Sequence, residues 1–309
     1  MRHRKLPLAA LALAFSSSVA LAQTAYRYRD ANGQWVYTDQ APTSAAQVDT
    51  LHLVHENAAL HVAVDREDDA QSTQLIAVND CLCVVTFSVT VVQSGYPAIA
   101  NGASYRATLD AGTRRTLVQA QRSGPGDAGL KYRWNAVLGS PDAVHDPKIP
   151  YRVPFSVGST FTISQAYPSR ITHVTADSQY AVDIALPDGT AVYAAREGTV
   201  IDARHDLFRD AMAPVMLDQA NVIEILHGDG TIGVYAHLHW DSVRVHIGDR
   251  VVRGQYIADS GNTGFTSGPH LHFAVIRNAG GQSVSVPIQF AGAGGIAVTP
   301  ATGMELTAY

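Results

Sequence analysis

Cysteine is almost missing from this chain: Cys81 and Cys83 are the only two among 309 residues. With no histidine close by, such a C-x-C pair is a poor zinc site. In an oxidising compartment it either closes a tight disulfide or stays as two buried thiols, because residues i and i+2 of a strand share a face near the upper limit of bridging distance. Charge is scarce too, at 16%, and basic residues do not predominate: 22 Lys and Arg face 27 Asp and Glu. That balance excludes a nucleic-acid binder, which displays a basic patch. Long helical periodicity is absent. Beyond the first two dozen residues no apolar run is long enough to span a bilayer.

The exception is the start of the chain. A basic opening, Met1-Arg2-His3-Arg4-Lys5, leads into an apolar run from Leu6 to about Leu21 that closes on the small-residue ending Ala20-Leu21-Ala22. This is the pattern of a secretory signal peptide over residues 1–22, cleaved before Gln23. The run falls short of the roughly 20 apolar residues a membrane anchor needs, and no cysteine follows it to carry a lipid. Cleavage leaves 19 basic against 27 acidic residues, a net charge of −8. The expectation is an exported protein, periplasmic or secreted, with no transmembrane segment after signal cleavage and no nucleic-acid partner.

What is present is short runs of Val, Thr, Ile and Tyr separated by Gly, Pro, Asn and Asp, the mark of an all-β protein. The length suits two or three domains. Residues 23–50 form a small module in which two aromatic strands, Tyr26 to Arg29 and Trp35 to Thr38, flank the turn pair Asn32-Gly33, the strongest short hairpin signal. It resembles a short module of unassigned function at the start of many exported proteobacterial proteins. Residues 51–152 hold candidate strands at Leu51 to Val54, Leu60 to Val64, Leu75 to Ala77, Cys83 to Val92, Tyr105 to Leu109, Thr116 to Gln119 and Tyr132 to Leu138, a β-sandwich-like domain without a catalytic cluster. Residues 153–290 carry the chemistry. The Gly- and Ala-rich tail, 291–309, either lies loose or wraps as a terminal strand.

Four of the 13 histidines fall in two strand-like runs, Val234-Tyr235-Ala236-His237-Leu238-His239 and Gly268-Pro269-His270-Leu271-His272-Phe273. Residues two apart on a strand face the same way, so His-x-His presents two imidazoles to one ion or one substrate. A hydrogen-bonded or surface role accounts for His3, His52, His55, His61, His145, His205, His227 and His246. It does not account for His270 and His272 between Gly-Pro and an apolar strand, where an unpaired buried imidazole is costly.

The runs Tyr180-Ala181-Val182-Asp183-Ile184, Leu186-Pro187-Asp188-Gly189-Thr190, Val192-Tyr193-Ala194-Ala195-Arg196-Glu197-Gly198, Tyr235-Ala236-His237-Leu238, Val245-His246-Ile247-Gly248-Asp249 and Ser260-Gly261-Asn262-Thr263-Gly264 through His272 resemble, in order and spacing, the lysostaphin-type zinc endopeptidases. The resemblance implies an all-β duplicated hybrid motif fold, the LytM-type domain, and a zinc ion held by an upstream His, the strand Asp and the second His of His-Leu-His. Asp183 and His272 match directly. The family's commonest form has its first His four residues before the Asp, where this chain has Gln179; His173, ten residues before Asp183, is the replacement, as in a subgroup that carries its His on a longer loop. A turn through Ala176, Asp177 and Ser178 would fold that loop back. His237 and His270 correspond to the two histidines beside the metal, with acid-base and electrostatic roles, and His239 is read as a rim residue.

The resemblance also implies a substrate, the peptide cross-links of bacterial peptidoglycan, cleaved by a zinc-activated water without a nucleophilic Ser or Cys. The Gram-negative look of the chain suggests a D-alanine to diaminopimelate cross-link. A rival reading is a catalytically silent LytM-type protein that binds wall or activates an amidase. Retention of Asp183, His237, His270 and His272 favours the enzyme.

Overall fold

The computed structural model describes residues 23–29, 35–38, 48–53, 62–69, 71–121, 129–169, 171–207 and 220–309. The expected signal peptide and the Asn32-Gly33 turn lie outside the described residues. The chain divides into two units, Met1–Glu56 and Asn57–Tyr309.

The first unit holds β1 (Gln23–Arg29), β2 (Trp35–Thr38) and β3 (Val48–Leu53), in the sheet order β2-β1-β3. The predicted hairpin is β1 and β2. The third strand takes residues that alternation assigns to the next domain: it runs along β1 from Gln23↔Leu53 to Tyr28↔Val48. An isolated two-stranded hairpin is marginal in water, and a third strand satisfies its open edge.

The second unit begins with two three-stranded antiparallel sheets. Its strands are β4 (Val62–Asp68), β5 (Ser72–Asn79), β6 (Val85–Ser94), β7 (Ser104–Leu109), β8 (Thr113–Gln121) and β9 (Leu130–Leu138). The sheet orders are β4-β5-β8 and β7-β6-β9. Strict alternation on β6 sends Val85, Phe87, Val89 and Val91 to the inner face, where all four are fully buried in one cluster with Leu75, Ala77, Cys81 and Cys83. That cluster does not stop at the domain's edge, since it includes Ile201 and Ile232 of the C-terminal sheet.

The C-terminal region contributes β10 (Thr160–Gln165), β11 (Val182–Ile184), β12 (Ala191–Tyr193), β13 (Gly198–Arg204), β14 (Val222–Leu226), β15 (Ile232–Ala236), β16 (Arg250–Val251), β17 (Tyr256–Asp259), β18 (Leu271–Asn278) and β19 (Ser283–Ser285), then β20 (Phe290–Ala291), β21 (Ala297–Val298) and β22 (Glu305–Thr307). Nine of them form one antiparallel sheet, β16-β13-β14-β15-β18-β11-β10-β22, with β19 beside the far end of β18. The tail wraps as a terminal strand: β22 pairs with β10, and Leu306 is buried.

Period-two alternation gives this sheet two different faces. Ile223, Ile225, Tyr235, Leu271, Phe273, Val275, Val182 and Ile184 point one way, into the main core. The opposite face carries a register row across five strands: Val222 pairs with Ala236, Ala236 with His272, His272 with Asp183, and Asp183 with Gln165. Two residue pairs further along the strands, the same face carries Ile232 opposite Ile276, where the sandwich cluster rests. The polar row and the sandwich thus share one face of the sheet.

Candidate metal centre

Asp183 and His272 sit at the middle of the polar row because their strands pair there, and hydrogen bonding along β11 and β18 leaves neither backbone free to shift. Their side chains meet: His272 Nδ1 donates to Asp183 Oδ1 at 2.9 Å. His173 arrives from a different direction, the long connection between β10 and β11, and places Nε2 3.0 Å from Asp183 Oδ2. The His173 and His272 rings stand edge to face at 5.0 Å between centroids. One ligand atom from each of His173, Asp183 and His272 lies within 4.8 Å of the others.

The turn that brings His173 back runs through the predicted residues. Ser178 N–H and Gln179 N–H both donate to the Thr175 carbonyl, at 3.2 and 3.0 Å, and Ser178 Oγ bonds Thr175 Oγ1. Gln179 takes part through its backbone in closing this turn.

Burial makes the cluster's electrostatics severe. By itself burial would raise the Asp183 carboxyl pKa, but the imidazoles of His173 and His272, through hydrogen bonding and charge, hold it far below the usual carboxylate range. His173 is only 3% exposed, and although its Nε2 is close to Asp183, neither ring nitrogen has an aligned hydrogen-bond partner. Buried nitrogens without partners cost free energy unless something satisfies them. A divalent ion between two imidazoles and a carboxylate would do so, and two ring nitrogens with one carboxylate oxygen are donors that such an ion takes. The residues therefore fit a metal.

Two further histidines flank the cluster. The His237 and His270 rings are 4.6 Å apart, and His237 stands 5.9 Å from His272. His270 Nε2 is 3.9 Å from Asp183 Oδ1. Each is held through Nδ1 on a carbonyl: His237 donates to Thr263 at 2.7 Å, and His270 to Gly268 at 2.8 Å. Those bonds fix the tautomer and leave each Nε2 as the free ring nitrogen. His237 also adopts φ 61°, a left-handed conformation unusual for a side chain of its size. Burial, with help from the neighbouring His270 and His272, pushes its pKa down to about 3, so the ring is neutral at pH 7.

Backbone packing behind these rings explains two glycines of the Ser260 to Gly264 run. A Cβ on Gly261 would lie 2.5 Å from the His239 backbone, and one on Gly264 would lie 2.7 Å from Ala220 Cβ. Thr263 is tied down by its hydroxyl, which donates to the Leu238 carbonyl and accepts from Asn221 N–H. Its carbonyl is thereby aimed at His237.

Among the described residues, three further histidines bond backbone carbonyls. His239 turns away and bonds the Trp240 carbonyl through Nδ1. His227 is buried against the Glu197 carbonyl, and its pKa is lowered by that burial to about 4. His145 bonds the Pro287 carbonyl. Sequence reasoning missed Gln165 and Ser285, which hold the His173 connection in place. No motif marked either.

Comparison with known proteins finds similarity over the region that holds most of this site. Residues 177–285 match Peptidase family M23, a range that includes Asp183, His237, His270 and His272 and begins after His173. Residues 10–61 match a domain of unknown function, DUF4124. Among characterised proteins, the chain is 34% identical over 125 residues to the peptidoglycan DD-endopeptidase ShyA of Vibrio cholerae, covering 40% of this chain and 26% of that protein. It is 32% identical over 138 residues to lysostaphin of Staphylococcus simulans, covering 42% of this chain and 26% of that one. The chain thus spans about a quarter of the length of these relatives. The solved catalytic domain of that lysostaphin is similar at 28% identity and a TM-score of 0.29, over 39% of this chain and 80% of the other. Residues 177–285 are thus similar to Peptidase family M23, and the described residues around them are almost entirely β.

Proposed function

We propose that the chain is an exported zinc metalloendopeptidase that hydrolyses peptide cross-links of bacterial peptidoglycan. The observation that carries this reading is the convergence of His173, Asp183 and His272, with buried His173 nitrogens that lack aligned partners. Relatives named as a peptidoglycan DD-endopeptidase and a lysostaphin support the substrate class. The basic and apolar start of the chain supports export.

When bound, a zinc ion supplies Lewis acidity, which polarises the scissile carbonyl and brings the pKa of a water molecule toward about 7. The chain's own residues supply the proton traffic. With Nδ1–H committed to the Thr263 and Gly268 carbonyls, Nε2 of His237 and of His270 accepts a proton while the ring is neutral. As water adds to the carbonyl carbon, one of these rings takes the water's proton. The imidazolium so formed is a donor, able to stabilise the oxyanion and then to pass the proton to the amine as the C–N bond breaks. No covalent acyl intermediate is needed.

Incubation of the purified mature protein with isolated peptidoglycan tests the reading. Release of soluble peptide fragments and about one zinc per chain, both lost in His272→Ala, are the expected results. A folded protein that binds no zinc at neutral pH sinks it, and one that binds the wall without cutting it favours the silent alternative.

A further inference from the structure

Of the three groups in the metal cluster, His173 has the weakest local support. Asp183 and His272 sit in paired strands, whereas His173 belongs to the irregular connection of residues 166–181. Its flanking residues Ile171 and Val174 are 77% and 71% exposed, and from 171 to 177 His173 alone is buried. No apolar side chain of that stretch anchors it to the core. Two polar clamps do so. Gln165, buried on β10 at the register position beside Asp183, bonds Thr172: its Nε2 donates to Thr172 Oγ1 at 3.0 Å, and its Oε1 accepts from Thr172 N–H at 3.3 Å. Ser285, buried on β19 next to the His272 strand, donates to the Ala176 carbonyl from both N–H (2.9 Å) and Oγ (3.0 Å), and its Oγ accepts from Tyr180 N–H at 3.0 Å.

We propose that Gln165 and Ser285 are positioning residues of the metal centre, which set the His173 imidazole over Asp183 and so raise the site's affinity for zinc. The inference rests on the reading of His173, Asp183 and His272 as metal ligands. Each clamp grips the connection on one side of His173, and each is mounted on a strand adjoining one that bears another ligand, so all three ligands are referred to one rigid sheet. Without the clamps the connection must be ordered by the metal itself, and the lost chain entropy is drawn from the binding. Partners of this kind behind metal ligands typically matter by about 10–100-fold in affinity.

The test is zinc affinity of the full mature protein, measured by competition with a chromophoric chelator, beside the melting temperature of the metal-stripped form. Gln165→Ala and Ser285→Ala are each expected to weaken zinc binding by roughly 10–100-fold, with little change in the metal-free melting temperature. Thr172→Val, which removes only the hydroxyl that Gln165 grips, weakens binding less. It adds nothing in the double variant with Gln165→Ala, and Thr172→Ser restores wild-type affinity. Unchanged affinity in Gln165→Ala, while His272→Ala abolishes binding, overturns the positioning role and leaves the metal centre standing. Loss of affinity that merely follows a fall in metal-free stability also overturns it. If Gln165→Ala fails to fold, Thr172→Val decides, and unchanged affinity there is fatal. Absence of zinc from the wild-type protein refutes the underlying reading and this inference together.

Discussion

His173 and Gln179 compete for one role, and their surroundings separate them. His173 is buried with Nε2 3.0 Å from Asp183 Oδ2 and Nδ1 without a partner, whereas Gln179 helps to close the turn through its backbone N–H. His173→Ala should therefore abolish stoichiometric zinc binding, and Gln179→Ala should leave it intact, as read by metal analysis after gel filtration. Release of metal by the Gln179 change alone would reassign the ligand. His237→Ala and His270→Ala belong to a different class. Both rings flank the three-residue cluster, so the variants should keep zinc but lose hydrolysis by about 10²–10⁴-fold, the usual worth of a general acid-base group. A variant that loses zinc and activity in parallel would move that histidine into the ligand set.

Among the strands, β14 carries the oddest residue, Glu224. Alternation points it at the sheet face that also bears His272, opposite Asp202 on β13, and its Oε2 is buried without a partner. Burial, reinforced by the Asp202 charge, pushes its carboxyl up to about 7. An acid with a raised folded pKa holds its proton more tightly in the folded state. Its contribution is then complete below the unfolded pKa of about 4.3 and lost as pH rises through 7. Glu224→Gln should accordingly stabilise the protein by on the order of 3–4 kcal/mol at pH 8 and by almost nothing at pH 4.5. Urea unfolding at the two pH values reads the difference, and an equal gain at both would refute the protonation account. Strand identity was largely legible: six of the seven strands predicted between Leu51 and Leu138 appear in the second unit, with ends displaced by up to four residues, and β4 and β6 begin two residues later than expected. The seventh, near Leu51, alternates as well as the others but pairs with β1. Alternation reports that a strand has two faces and is silent on which neighbour it joins.

In the second unit the two β-regions share a core rather than merely touching. Ile232 of the C-terminal sheet is fully buried in the same cluster as Phe87 and Val89 of the sandwich, and Asn278 bonds Thr86 and the Gly139 carbonyl across the same boundary. Residues 57–309 should therefore unfold as one cooperative transition, and Ile232→Ala should destabilise it by about 2–4 kcal/mol. Calorimetry of the mature protein checks both, and separate melting of sandwich and C-terminal sheet would contradict the shared core. Chelation of the metal should lower the temperature of that same transition, because a ligand bound only to the folded state stabilises it by mass action. The chain's local chemistry was readable in advance: an all-β pattern and a strand aspartate, because period-two alternation and residue type are local properties. Of the two His-x-His runs only His272 lies on a strand, since β15 ends at Ala236, His237 turns to φ 61° and β18 begins at Leu271. The company each residue keeps was not readable, because it depends on contacts between residues far apart in the chain. Long-range pairing alone put Gln165 beside Asp183, hung the His173 connection on Ser285, and set the sandwich on the face of the sheet that bears His272 and Asp183.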